Sequence, residues 1–308
     1  MKIVSANPNE PSKTLMYGIE GVGKSTFGAN SIEPIFITPE GGTSRLRDRH
    51  NQPVKLFEGV SSWDNVLGAV NWLQTNEHKF KTVVLDSADW IEGLAHKKII
   101  GGSNKDIIRV NGGYGAGYRD SQRMHAELIG RLENLRITKG MNMIVLAHYH
   151  VKQVKDPEML EDYDQYEIKC HEFVSGLWRE WVDAILFVRF KTFLNNNSDS
   201  SKSRAVSDGS RVCYTQKNPA YQAKNRFGLP PEMDFDMNFF NVYNQYASQG
   251  IQPETAQAVH ADIEELLKKV TDENTRNVAA QSTVAANGDV DQLARIRTRL
   301  KEITTTNP

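Results

Sequence analysis

Residues 14–26 read Thr-Leu-Met-Tyr-Gly-Ile-Glu-Gly-Val-Gly-Lys-Ser-Thr, and this stretch decides the fold. Gly18, Gly23, Lys24 and Ser25 fit the spacing G-x-x-x-x-G-K-[ST] of a phosphate-binding loop. The apolar run Leu15-Met16-Tyr17 reads as a buried strand, and a helix is expected over residues 25–31. Between the two, the chain must wrap an anion with its backbone N–H groups pointing inward. Gly18, Gly21 and Gly23 lack a Cβ and so permit the torsions and the close approach this needs. The helix then turns its unpaired N–H groups and positive dipole end to the anion. The expected nucleotide ligands are therefore Gly18, Gly21, Val22, Gly23, Lys24, Ser25 and Thr26. Lys24 reaches the β- and γ-phosphates, and the Ser25 hydroxyl is placed to ligate Mg²⁺.

Three more strand ends belong with that loop. Ile35-Phe36-Ile37-Thr38 reads as a second buried strand, followed by Pro39-Glu40-Gly41-Gly42. Open α/β sheets place ligands beyond their strand ends, so Glu40 is the candidate carboxylate for activating water. Residues 81–87 read as an apolar strand ending at Asp86, the place from which a carboxylate holds the Mg²⁺ shell. Asp89 competes for that role but lies further from the strand end. Residues 143–147 form a fourth apolar run ending in His148-Tyr149-His150, and His148 is the candidate to face the γ-phosphate from the far side. His148, His150, Cys170 and His171 are zinc-ligating types, yet their spacing matches no closed zinc motif.

Charge is nearly balanced at 37 basic against 38 acidic residues, so any affinity for nucleic acid must come from local patches. Residues 101–120 hold a glycine-rich stretch with Tyr114 and Tyr118, and nine Lys/Arg face four Asp/Glu over 96–140. Such a loop suits single-stranded nucleic acid, whose bases stack on rings and whose phosphates attract cations; an ordinary solvated loop fits the same composition. Residues 151–172 carry seven Asp/Glu and read as a second loop or hairpin, and 195–210 as a polar hairpin tip. Cys170 and Cys213 make no disulfide framework, which points to a reducing cytoplasm. No run of 18 apolar residues suggests a membrane span, and no signal-peptide pattern is present. The expected division is a core over 1–235 and a helical tail over 236–308. In that tail, helices over 253–270 and 289–303 flank a flexible linker at 271–288, and no core of its own is expected; docking on another subunit or a protein partner is.

Taken together, these motifs resemble the RecA-like branch of phosphate-loop ATPases over about residues 12–235. They are similar in particular to phage and prophage nucleotide-binding proteins, several of which act as single-strand-annealing recombinases. The resemblance rests on Gly18–Ser25, the Glu40-Gly-Gly strand end, Val83-Val-Leu-Asp86-Ser, the strand ending at His148, and Lys224-Asn-Arg-Phe-Gly228. It implies a three-layer α/β/α sandwich with a mostly parallel sheet, ATP and Mg²⁺ as cofactors, and Glu40 as catalytic base. It also implies an active site completed by a second copy of the chain, with Lys224 and Arg226 acting in trans on the γ-phosphate as an arginine finger does. Single-stranded DNA is the implied partner, and the tail is assigned to a single-strand-binding or replication protein. An accessory loader gated by nucleotide and a helicase-like ring ATPase are the alternative readings.

Overall fold

The computed structural model describes residues 10–155, 161–195, 204–206, 208–249, 256–287 and 289–306. The chain divides into two units, one ending at residue 251 and the other starting at 252. The first opens with β1 (Lys13–Gly18), α1 (Lys24–Ala29), β2 (Pro34–Ile37), β3 (Lys55–Leu56), α2 (Trp63–Thr75), β4 (Thr82–Asp86) and α3 (Ala88–Ile100). It continues through α4 (Ala116–Lys139), β5 (Asn142–Ala147), β6 (Tyr149–Val154), β7 (Tyr163–Ile168), α5 (Glu172–Trp181) and β8 (Ala184–Phe190). It closes with β9 (Phe193–Asn195), β10 (Arg204–Val206), β11 (Arg211–Tyr214), β12 (Lys224–Asn225), β13 (Glu232–Asp234) and α6 (Phe239–Gln249). The second unit holds α7 (Ala256–Lys269), α8 (Glu273–Ala285) and α9 (Val290–Thr306).

The central strands run in the order β8-β1-β5-β4-β2-β3, all parallel, and β11 and β13 extend the sheet antiparallel beyond β8. Strands β1, β2, β4, β5 and β8 are buried at almost every position and largely apolar because both faces of the sheet are covered there. Alternate side chains part to opposite faces. Leu15, Tyr17, Val83, Leu85, Met143, Val145 and Phe187 join Trp63, Val66, Ile91, Leu128 and Trp178 of α2 to α5. Met16, Val84, Ile144, Leu146 and Val188 join Phe27 of α1 and Phe239, Phe240 and Tyr243 of α6. The result is the expected three-layer α/β/α sandwich, with one core on each side of a mostly parallel sheet.

Several boundaries differ from the expectation. The change in composition after Pro231 suggested a core ending at 235. Instead α6 carries Phe239, Phe240 and Tyr243 into the second core, and the Tyr243 and Thr14 hydroxyls are hydrogen-bonded. Each large side chain so buried contributes about 2 kcal/mol, enough to tie the segment down. Residues 273–285, read as linker because they are small and polar, are helix α8, capped by Asp272 accepting the Thr275 N–H at 2.7 Å. With α8 in place the second unit has a small core of Val259, Ile263, Val270, Ala286, Leu293 and Leu300, which the sequence reading did not foresee. The acidic 151–172 segment covers most of the antiparallel pair β6–β7, and its residues 156–160 lie outside the described residues. Of the 195–210 hairpin, β9 pairs with β10 and residues 196–203 lie outside the described residues.

Candidate nucleotide site at the strand tips

Register places the candidate residues side by side. Tyr17 lies opposite Ala147, Leu146 opposite Asp86, and Leu85 opposite Ile37. The C-terminal ends of β1, β5, β4 and β2 therefore share one edge of the sheet. The phosphate loop, His148, Asp86 and Glu40, which follow or end those strands, meet there around a cavity of about 350 Å³.

The loop glycines serve different purposes. Gly18 still belongs to β1, and a Cβ there would stand 1.9 Å from the Val188 carbonyl oxygen of neighbouring β8, so close strand packing excludes any other residue. Gly23 caps α1 with φ 110°, a left-handed conformation that favours glycine. Val22 is buried, and its carbonyl accepts a hydrogen bond from Arg211 Nη1 at 3.0 Å. Gly21, Thr26 and Thr38 line the cavity. The buried Lys24 ammonium donates to the carbonyls of Gly18 and Ile19, both at 2.9 Å, and so closes the loop upon itself. Burial lowers its pKa, and an anion in the cradle would favour the charged form.

Ser25 Oγ donates to Asp86 Oδ2 at 2.7 Å, and Asp86 is only 7% exposed. A hydroxyl and a carboxylate oxygen already in contact are the hard donors that Mg²⁺ takes, and the cavity beside them leaves room for the phosphate and water ligands it would keep. Among the described residues no group of three or more His, Cys, Asp and Glu is arranged to hold a metal. Burial raises the pKa of Asp86, against the hydrogen bond from Ser25. Burial likewise raises that of Glu40, with His148 opposing it. A carboxylate with a raised pKa is a better proton acceptor.

His148 is held on the cradle side of the sheet edge. Asp89 Oδ1 accepts its backbone N–H at 3.1 Å, and Asp89 Oδ2 lies 2.9 Å from ring Nδ1. Nε2 points the other way, 4.0 Å from Glu40 Oε1. The bond to Asp89 raises the His148 pKa. Burial pushes that of Asp89 up, but its bonds to the His148 ring and backbone outweigh burial and leave it below the usual carboxylate range.

Two expected site residues stand elsewhere. β12 pairs with Ile185 and Ala184 at the start of β8, the opposite edge of the sheet from the cradle. Lys224 Nζ there donates to the carbonyls of Arg179, Glu180 and Val182 at 3.0, 3.3 and 2.5 Å, capping the C-terminus of α5. Arg226 is exposed, with Asp183 as its ion-pair neighbour at 3.7 Å. Both line a second, larger cavity of about 750 Å³ with Arg179, Lys155 and Lys217. Of the two tyrosines expected to present rings, Tyr114 is fully exposed, whereas Tyr118 lies in α4 and stacks on His171 at 3.8 Å. The sequence reading missed Glu92, which binds the His171 N–H, and Arg211, and it weighed Asp89 only as a metal ligand. For Asp89 and Glu92 the signal was their i, i+3 spacing just after Asp86.

The AAA domain family matches residues 10–227, which take in the cradle, both acidic strand ends and His148. Among solved structures the chain is similar to the crystal structure of the RadB recombinase, at 15% identity and a TM-score of 0.40, over 73% of this chain and 87% of that one. No curated protein matches the chain. No helix among the described residues is long and apolar enough to cross a membrane.

Proposed function

Because the chain belongs to the AAA domain family over residues 10–227, we propose that it is a Mg²⁺-dependent ATPase that binds single-stranded DNA and promotes annealing or strand exchange in phage recombination. The observation that carries the ATPase half is the meeting of Lys24, the Ser25–Asp86 pair, Glu40 and His148 around one cavity. Lys24 exchanges its two loop carbonyls for β- and γ-phosphate oxygens, and the loop N–H groups take the rest of the charge. Ser25 and Asp86 would hold Mg²⁺, which supplies charge neutralisation across the phosphates. Glu40 accepts a proton from water as its oxygen bonds to the γ-phosphorus and the bond to the bridging oxygen breaks, releasing ADP. His148 Nε2 faces the γ-phosphate from the far side.

Lys224 and Arg226 lie too far round the sheet to serve their own cradle, so their part in hydrolysis requires a neighbouring copy. Lys224 is already engaged as a helix cap, which makes Arg226 the better finger. The DNA half is supported by the exposed Tyr114 and by the excess of basic residues over 96–140. That α7 to α9 share a core of their own favours a role for them as a docking module for a single-strand-binding or replication protein, and so also supports the accessory-loader reading.

ATP turnover measured with and without single-stranded DNA tests the proposal. Turnover should rise with DNA, and Glu40→Gln should reduce it at least about 100-fold, as expected for loss of general-base catalysis, while ATP still binds. Normal turnover in that variant would remove Glu40 from the role, and no DNA retention on filters at low salt would remove the DNA half.

A further inference from the structure

α3 opens immediately after the Asp86 strand and carries Asp89 in its first turn, where the helix dipole favours a negative charge. The Asp89 side chain is 9% exposed, with one oxygen accepting the His148 N–H and the other facing ring Nδ1. An ionised carboxylate only accepts, so Nδ1 carries a hydrogen. The ring is thereby fixed in orientation as well as tautomer, with Nε2 turned into the cradle. One turn further on, Glu92 accepts the His171 N–H with both oxygens, at 3.1 and 3.0 Å. His148 and His171 flank the β6–β7 hairpin, so α3 grips both of its feet.

We propose that Asp89 is a positioning residue for hydrolysis: it acts through His148, keeping Nε2 aimed at Glu40 and the γ-phosphate, and does not ligate the metal. This rests on the ATPase reading above. Three observations favour positioning over metal binding. Both Asp89 oxygens are already occupied, whereas Asp86 has one oxygen on the Ser25 hydroxyl. The residue Asp89 holds is the one whose free ring nitrogen faces the candidate base. And Glu92, one turn further on, holds the other foot of the same hairpin through the His171 N–H, so the acidic residues of α3 serve the hairpin.

Asp89→Asn is the sharpest probe, because an amide cannot accept at both places. Its oxygen must serve the backbone N–H, which cannot rearrange. Its NH₂ then confronts Nδ1, which must give up its hydrogen, so the tautomer and the charge of the ring that faces Glu40 both change. In the full chain this variant should lower kcat on the order of 10–100-fold, with KM for MgATP changed less than about threefold. In a His148→Ala background the same substitution should cost less than about twofold, since it acts only through the ring. A raised KM or weakened Mg²⁺ dependence with kcat intact would make Asp89 a metal ligand, and equal losses in both backgrounds would end the positioning role. Histidine ¹⁵N spectra of the nucleotide-free protein need no turnover. Nδ1 of His148 should be protonated in the wild-type chain and bare, above the ring pKa, in Asp89→Asn. A bare Nδ1 in the wild type overturns the proposal even if the variant does not fold. Absence of any ATP hydrolysis by the wild type would sink the ATPase reading and leave the tautomer result standing.

Discussion

Lys24 and Lys224 do the same thing at opposite edges of one sheet: each ammonium donates to backbone carbonyls. Their surroundings differ. Around Lys24 a loop of N–H groups, the Ser25–Asp86 pair, Glu40 and His148 converge, so its carbonyl bonds can give way to phosphate. Around Lys224 the carbonyls are those at the C-terminal end of α5, and the ammonium completes the helix. A lysine in a glycine-rich loop is thus proposed as a ligand because of what gathers beside it. A lysine in a motif that resembles a catalytic finger can be a cap for the same reason.

That contrast can be broken at several points. The largest expected effect belongs to Arg226. If a neighbouring copy completes the cradle, Arg226→Ala should lower turnover about 10³-fold. Its melting temperature should be unchanged, since an exposed ion pair at 3.7 Å contributes little. Full turnover in that variant would leave the far edge of the sheet without a catalytic role. Next in size is a pair of opposed pH effects. Burial holds Glu92 up to about 7, so the folded chain keeps a proton that the unfolded chain has lost, and stability falls as pH rises from about 4.5 through 7. Burial pushes His125 down to about 4, so stability falls as pH drops from about 6.5 to 4. Each is worth about 3 kcal/mol, and between about 4.5 and 6.5 they cancel. Urea unfolding of Glu92→Gln should therefore rise more steeply with pH there than that of the wild type; parallel profiles in the two would contradict this. Smallest is Lys224→Ala, which should cost about 1–2 kcal/mol of stability through the uncapped α5 carbonyls, with little direct effect on nucleotide binding. A large loss of nucleotide affinity would place Lys224 in the cradle after all.

Much of the fold was legible because the parallel strands are continuous apolar runs and the loop motif fixes their direction. Glu40, Asp86 and His148 could be read as strand-end residues without knowing the strand order, since any parallel sheet sends those ends to one edge. What the sequence hid was contact between segments far apart in the chain. α3 has a weak apolar stripe of Ile91, Leu94 and Ala95, with Trp90 largely exposed, and its decisive residues are polar. Their partners, His148 and His171, lie 59 and 79 residues away. α6 was detached from the core because polar residues surround its aromatics, and α8 was read as linker because small polar residues show no period. Lys224 illustrates the converse limit: a motif names residue types, and only the fold shows that α5 ends beside it.

Equilibrium titration of the full chain with MgATP tests the central claim most directly. Wild type and Glu40→Gln should bind alike, and Lys24→Ala should bind at least about 100-fold more weakly, a loss of about 2.7 kcal/mol. Undiminished binding by Lys24→Ala, or none by the wild-type chain, would contradict it.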